Sequence, residues 1–153
     1  MAQAVSPDVL IHVCQNCIPG GGQLPRQWVQ DGLHVVVRQV PCSGKTDAQY
    51  LFHALENGCQ GVCVVTCPKA QCHLAQGNYR AEVRINTIQR LLAEIGVAPG
   101  RAQLITCPPE ESAQHLEQTL RETVSAISQA SGQPSPAAEF SGLSGKTEGA
   151  GPT

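Results

Sequence analysis

Four short apolar runs constrain the fold of this chain most strongly. They are dominated by Val, Ile and Leu and occupy residues 9–14, 33–40, 61–67 and 102–107. Continuous apolar runs of this length are typical of strands that are buried on both faces, as in parallel sheets. We therefore expect a parallel sheet of about four strands.

Helical patterns separate and follow these runs. Residues 46–58 begin with Thr46 and Gln49 at the spacing of a capping box and end in a glycine that suits a helix C-terminus. Residues 80–96 and 113–127 repeat apolar residues at alternating intervals of three and four, which is typical of amphipathic helices. Arg80 and Arg84 are expected on the solvated start of the second of these helices, with the alternative that either faces the cysteine cluster or a partner.

Repeated alternation of strand and helix predicts a three-layer α/β fold, with helices on both faces of a parallel sheet, of the flavodoxin-like or Rossmann-like kind. In the first connection, Pro25 predicts the start of a short helix that continues through Val29. We expect the folded domain to comprise residues 1–128. Residues 129–153 are rich in Gly, Ser, Pro and Ala, which predicts a flexible tail.

Composition excludes several classes of function. The net charge is −2 and aromatic residues make up 3% of the 153-residue chain, which argues against a phosphate-tracking or base-stacking surface for nucleic acid. The first residues lack the apolar segment of a secretory signal, and no apolar run approaches the roughly 20 residues of a membrane span. We therefore expect a cytoplasmic protein. Eight cysteines in such a protein indicate metal binding or redox chemistry more often than disulfides.

Most of the cysteines fall at or just beyond the carboxyl ends of the predicted strands. These are Cys14, Cys17, Cys42, Cys67, Cys72 and Cys107. The carboxyl ends of parallel strands share one edge of a sheet, where open α/β folds bind their ligands. Cys107 is followed directly by two prolines, and we do not expect it to be a ligand. Cys59 and Cys63 precede or lie inside the third run and are expected to be small buried hydrophobes.

Three chemistries suit such a cysteine cluster. A [2Fe-2S] centre needs four ligands, usually thiolates. A structural zinc ion would accept three or four cysteines together with His73, although zinc usually stabilises small domains that lack a core. The "CQNC" segment of residues 14–17 also resembles a thioredoxin-type dithiol, but that interpretation gives Cys42, Cys67 and Cys72 no role. The residues alone leave these alternatives open.

Longer segments resemble one known family. "VCQNC", "CSGK", "GVCVVTCPKAQCHLAQGNYRAEVR" and "LLAEIGVAPGRAQLI" are similar to the delta subunit of methyl-viologen-reducing hydrogenase, over about residues 8–127. The residues that match the motifs of this family are Cys14, Cys17, Cys42, Ser43, Gly44, Cys67, Cys72, His73, Gly77 and Asn78. The chain departs from the family at Lys45, where arginine is usual, and at Leu74, where tyrosine is usual. It also has "CPPEES" after the fourth run, where Ser-Ala-x-Glu-Gly is usual.

The resemblance implies a one-electron relay with a [2Fe-2S] cluster. Iron would be held by four of the five family cysteines, namely Cys14, Cys17, Cys42, Cys67 and Cys72. The partners would be a flavin-bearing subunit similar to heterodisulfide reductase A and a hydrogenase, formate dehydrogenase or other redox subunit. No substrate-converting site of its own is expected. The alternative is a zinc-stabilised adaptor subunit without a redox role.

Overall fold

A computed structural model describes residues 7–18, 23–45, 47–67, 77–107 and 112–131. Within these ranges it contains five strands and three α-helices. The strands are β1 (Val9–Cys14), β2 (Gln27–Gln30), β3 (Leu33–Val40), β4 (Gly61–Thr66) and β5 (Ala102–Thr106). The helices are α1 (Ala48–Glu56), α2 (Gly77–Glu94) and α3 (Ala113–Ser131).

The strands form one sheet in the order β2-β3-β1-β4-β5, in which all neighbours are parallel except β2 and β3. The four predicted parallel strands and the α/β class are confirmed. Counted without β2, the order of the parallel strands is that of the flavodoxin-like doubly wound folds. In such sheets, later strands are added first on one side of the first strand and then on its other side. A crevice forms at this reversal, beside the carboxyl end of the first strand.

The predicted helix from Pro25 to Val29 is wrong, because these residues lead into and form the antiparallel edge strand β2. Burial alternates along β2, as expected for a strand with one solvated face. Asp31 and Gly32 join β2 to β3 with positive φ angles of 51° and 77°. An Asp-Gly pair with positive φ at both positions is the usual two-residue hairpin turn. This dipeptide was therefore the sequence feature that indicated the hairpin.

The two faces of the sheet bury separate sets of apolar side chains. On one face, α3 contributes Leu116, Leu120, Val124 and Ile127, all fully buried. The opposite face is covered by α1 and α2, whose buried residues include Leu51, Ala81, Ile85, Ile88 and Leu92. The predicted amphipathic helices are thus confirmed, and the molecule has three layers.

The N-terminus of α1 differs in detail from the sequence prediction. Its N-cap is Asp47, whose side chain accepts a hydrogen bond of 2.9 Å from the backbone N–H of Gln49. Thr46, the expected cap, lies outside the described residues. Aspartate and threonine both suit this position, so the pattern of a capping box could not decide between adjacent candidates.

Residues 132–153, which include most of the predicted tail, lie outside the described part of the chain. Among the helices that the structure describes, we find none whose length and apolar character would suit a bilayer crossing.

Close packing at Gly61 yields a stability prediction. A Cβ atom at Gly61 would lie 2.2 Å from Cγ2 of Ile127 and 3.0 Å from the carbonyl oxygen of Arg101. We expect Gly61→Ala to lower the free energy of unfolding by roughly 1–3 kcal/mol, because α3 must shift away from the sheet. Chemical denaturation monitored by circular dichroism measures this change.

Gly100→Ala is the matched control, since its Cβ would lie 3.2 Å from the Cβ of Ala130 and meets no backbone atom within 4 Å. Its cost should be smaller than that of Gly61→Ala. Equal stability of the two variants would show that α3 is not packed on β4 as described.

Candidate metal centre

Three cysteine side chains meet at the carboxyl edge of the sheet. Cys14 ends β1, Cys17 ends the short 3₁₀ turn Gln15–Cys17, and Cys67 directly follows β4. The sulfur atoms of these residues, here called the thiol triad, all lie within 4.8 Å of one another. The Sγ of Cys67 is 3.4 Å from that of Cys17 and 3.9 Å from that of Cys14. All three residues are buried.

The fold explains this convergence. Strands β1 and β4 are hydrogen-bonded neighbours in parallel register, with Val13 opposite Val65, so both strands end at the same edge. The 3₁₀ turn after β1 has about three residues per turn, which stacks side chains three positions apart. Cys17 is therefore brought back toward Cys14. The site lies at the reversal point of the strand order, where open α/β sheets have their ligand crevice.

The surroundings of the thiol triad oppose ionisation of Cys17 while no cation is bound. Burial is the main cause that raises the pKa of the Cys17 thiol above its usual value, and the hydrogen bond and charge of Cys67 raise it further. Neighbouring Cys14 and Cys107 act in the same direction. Several thiolates crowded in a buried site repel one another unless a positive centre lies between them.

The donor set also fits a metal centre by its spacing and chemistry. Tetrahedral coordination with metal–sulfur bonds of about 2.3 Å separates its sulfur atoms by roughly 3.8 Å. Two of the separations in the thiol triad, 3.4 and 3.9 Å, are close to this value. Thiolates are soft ligands that select zinc or iron–sulfur centres over hard cations. The triad thus supplies three of the four ligands that such a centre needs.

Cys42 directly precedes a neighbouring turn and is not a member of the thiol triad. It is buried, and its sulfur accepts a hydrogen bond of 3.4 Å from the backbone N–H of Gly44. The turn Ser43–Lys45 that follows, here called the Cys42 turn, is fixed to β4 by a 2.7 Å hydrogen bond between the hydroxyls of Ser43 and Thr66. Both hydroxyl-bearing residues are buried.

The N-terminus of α2 packs against the same turn. A Cβ atom on Gly44 would lie 2.6 Å from Cα of Gly77, so the two backbones touch directly. Asn78 donates from Nδ2 to the carbonyl oxygen of Cys67 at 3.3 Å, and Arg84 donates to the carbonyl oxygen of Gly44. Arg84 is half-buried and anchors the Cys42 turn, which agrees with the alternative that it faces the site rather than with a solvated helix start.

The remaining cysteines have distinct positions. Cys59 lies before β4 at the opposite edge of the sheet, with its sulfur 3.2 Å from the carbonyl oxygen of Asp8 and 3.0 Å from that of Gly61. Cys63 is fully buried inside β4, and this burial raises the pKa of its thiol to about 12. Both match the prediction of small buried side chains. Cys72 and His73 lie outside the described residues, so their part in the predicted ligand set stays a prediction.

Cys107 is placed beside the thiol triad. Its backbone N–H donates to the carbonyl oxygen of Thr66 at 2.9 Å, which extends the pairing of β4 and β5 by one residue. Its thiol donates to the carbonyl oxygen of Cys17 at 3.6 Å. Cys107 was not expected to be a ligand, although its place after an apolar run was the same feature that identified Cys67.

Sequence reasoning also missed Thr66, a buried polar residue of the site. Its hydroxyl fixes the Cys42 turn to the end of β4. A threonine that ends an otherwise apolar strand and precedes a cysteine was the available indication. The partner hydroxyl of Ser43 was identified only through the resemblance to a family.

Comparisons with known proteins identify a matching family. The family model for the delta subunit of methyl-viologen-reducing hydrogenase matches residues 9–130. The iron-sulfur D subunit of the F420-non-reducing hydrogenase of Archaeoglobus profundus is 41% identical over 70 residues, which cover 46% of this chain and 51% of that protein. The vhu iron-sulfur D subunit of the F420-non-reducing hydrogenase of Methanocaldococcus jannaschii is 34% identical over 70 residues, covering 46% and 52%.

A third relative is much longer. The A subunit of the ferredoxin:CoB-CoM heterodisulfide reductase of Methanosarcina mazei is 28% identical over 91 residues, which cover 60% of this chain and 11% of that protein. The chain spans about half the length of the two hydrogenase subunits named above. The family model, in contrast, covers nearly all the residues that form the sheet and its helices. The chain therefore belongs to the family of the delta subunit of methyl-viologen-reducing hydrogenase.

Proposed function

We propose that this protein is an electron-transfer subunit that carries a [2Fe-2S] cluster in a multi-subunit oxidoreductase. The observation that supports the proposal most strongly is the convergence of Cys14, Cys17 and Cys67 in a buried group at one sheet edge. The names of the relatives, which include iron-sulfur subunits of a hydrogenase, support an iron–sulfur centre. When bound, such a cluster supplies a reversible one-electron change.

In this proposal the chain holds the cluster and shields it. The thiol triad supplies three thiolates after each thiol has released its proton to solvent. The sequence prediction draws the fourth from Cys42 or Cys72. Because the described ligands are almost completely buried, water has little access to them. Burial, hydrogen bonds to sulfur and nearby charge set the potential of an iron–sulfur centre.

Backbone groups of the Cys42 turn and of α2 are placed to offset negative charge at the site. The N–H of Gly44 points at the sulfur of Cys42. The N-terminus of α2, which carries the positive end of the helix dipole, is joined to Cys67 through Asn78. These contacts fix the backbone around the site and direct positive ends of peptide dipoles toward it.

We propose that the partners are a flavoprotein subunit similar to heterodisulfide reductase A and a hydrogenase, formate dehydrogenase or other redox subunit. Similarity to a D subunit of a hydrogenase and to an A subunit of a heterodisulfide reductase supports this pairing. The cytoplasm is the proposed location, because its reducing conditions keep such thiols available to iron.

A zinc-stabilised adaptor is the second candidate. The short sulfur separations of the thiol triad, 3.4 and 3.9 Å, would also suit one tetrahedral zinc ion. Zinc has no redox chemistry, so in that case the protein would hold subunits together without passing electrons.

Anaerobic purification separates the two candidates. We expect a coloured protein with about two iron atoms and two acid-labile sulfides per chain, since these define a [2Fe-2S] cluster. Dithionite reduction should produce an electron paramagnetic resonance signal from one unpaired electron. A colourless protein with one zinc ion would support the adaptor and contradict the relay.

The thiol triad gives a second prediction. Cys14→Ser and Cys67→Ser should each lower the iron content by roughly tenfold or more after desalting, because loss even of groups that only support ligands typically costs 10–100-fold in metal affinity. Iron analysis and visible absorbance report the loss. Cys63→Ala is the control, since Cys63 is equally buried but lies inside β4, and it should keep its iron. Equal iron in all three variants would exclude the triad as the cluster site.

Contact between Gly44 and Gly77 gives a third prediction. Gly44→Ala should displace the Cys42 turn from α2, because the added Cβ would meet backbone atoms that cannot rotate away. We expect a cluster that is lost several-fold faster in air, since the displaced turn exposes the site to solvent. The decay of visible absorbance measures this rate. Gly100→Ala, at the other end of the sheet, should decay like the unsubstituted protein; similar rates in both variants would contradict the prediction.

A further inference from the structure

Cys107 and Cys67 lie next to each other, just beyond the ends of the adjacent parallel strands β5 and β4. Thr66 and Thr106 are paired in the ladder between β4 and β5, so Cys67 and Cys107 are the next residues along each strand. The hydrogen bond from the N–H of Cys107 to the carbonyl oxygen of Thr66 continues this pairing. Adjacent strands lie about 4.8 Å apart. The two cysteines are therefore neighbours at the same sheet edge.

The side chain of Cys107 shares a face with the thiol triad. Cys14, Cys17, Cys67 and Cys107 all belong to the apolar cluster on the α3 side of the sheet. Cys107 is 2% exposed, and its thiol contacts the carbonyl oxygen of Cys17 at 3.6 Å. Four cysteines from three strand ends are thus buried together, while the triad alone is one thiolate short of a complete ligand set.

Cys42 is held differently. Its sulfur accepts the N–H of Gly44, and Cys42 belongs to neither of the two apolar clusters of the sheet. The Cys42 turn packs mainly against α2, on the opposite side of the sheet from α3. Of these two cysteines outside the thiol triad, Cys107 is therefore better placed than Cys42 to bind a metal held by the triad.

We infer that Cys107 supplies the fourth thiolate of the metal centre formed by Cys14, Cys17 and Cys67. This inference rests on the proposed function only in requiring that the triad binds a thiophilic metal. When the metal binds, the Cys107 thiol releases its proton to solvent and its sulfur forms a bond to the metal. Neither the sulfur nor the metal is oxidised or reduced in this step. A thiolate cannot donate to the carbonyl oxygen of Cys17, so the side chain turns about its Cα–Cβ bond toward the triad.

The sequence of this chain departs from the family pattern at this position. The resemblance places Ser-Ala-x-Glu-Gly where this chain has "CPPEES". A thiol at the start of this segment is a feature of this chain rather than of the family pattern. The fourth ligand in this protein would then differ from Cys42 and Cys72, which the resemblance implies.

The first test counts thiolates with Co²⁺, whose thiolate charge-transfer absorbance increases with the number of bound sulfurs. Metal-free protein is titrated anaerobically with Co²⁺, in unsubstituted form and as Cys107→Ser, Cys42→Ser and Cys63→Ala. We expect the band of Cys107→Ser to fall by about one quarter, as a tetrahedral site changes from four sulfurs to three. Cys63→Ala, with an equally buried cysteine replaced on the same face, should keep the full band.

A full band in Cys107→Ser, or a decrease in Cys42→Ser without one in Cys107→Ser, would overturn the inference. Cys107→Ala guards against a folding defect caused by a buried hydroxyl: its far-ultraviolet circular dichroism should match the unsubstituted protein, and its cobalt band should also fall. If Cys107→Ala folds and retains the full band, the inference is likewise wrong.

The second test uses iron. After anaerobic reconstitution, Cys107→Ser should lower the iron content by roughly tenfold or more, as at the other ligands, and any cluster that remains should have shifted electron paramagnetic resonance g values, because one sulfur ligand is replaced by oxygen. Unchanged g values and iron content would contradict the inference. If the unsubstituted protein takes up no iron–sulfur chromophore, the proposed relay fails, while the cobalt titration still decides the role of Cys107.

Discussion

Parallel pairing of β1 with β4 is the constraint on which the rest of the structure depends. The ladder aligns Val13 with Val65, so that Cys14 and Cys67, separated by 53 positions, finish at the same edge. The cost of bringing distant segments together is met by the burial of apolar side chains on both faces of the sheet. The position of the cysteines follows from the strands that carry them.

A buried group of thiols resists ionisation while no metal is bound. Desolvation and the nearby sulfurs raise the pKa of the Cys17 thiol, so the metal-free site disfavours the charged form. A metal centre reverses this preference because its charge stabilises each thiolate. The Cys42 turn and the start of α2, joined by the contact of Gly44 with Gly77, then fix the other side of the site. Fold and site are thus coupled through a few backbone contacts.

Much of this fold could be predicted from the sequence because its strands are apolar runs with clear boundaries. The same runs placed Cys14 and Cys67 at one edge, since residues at the ends of parallel strands share that edge. The hairpin of β2 and β3 was missed because Pro25 was interpreted as the start of a helix, although the Asp-Gly pair that follows has the chemistry of a two-residue turn. The predicted N-cap of α1 was one residue too early, because Thr46 and Asp47 are adjacent and both residue types suit an N-cap.

The details of the site depend on contacts that spacing does not encode. Whether Cys107 points toward the thiol triad depends on its side-chain rotamer and on the register of β5, and Arg84 reaches the Cys42 turn only once α2 is packed. The most direct measurement for the central claim is a crystal structure of anaerobically purified protein, with anomalous differences recorded at the iron absorption edge. We predict a peak within bonding distance of the sulfur atoms of Cys14, Cys17 and Cys67. A peak elsewhere, or none in a sample that contains iron, would contradict the account.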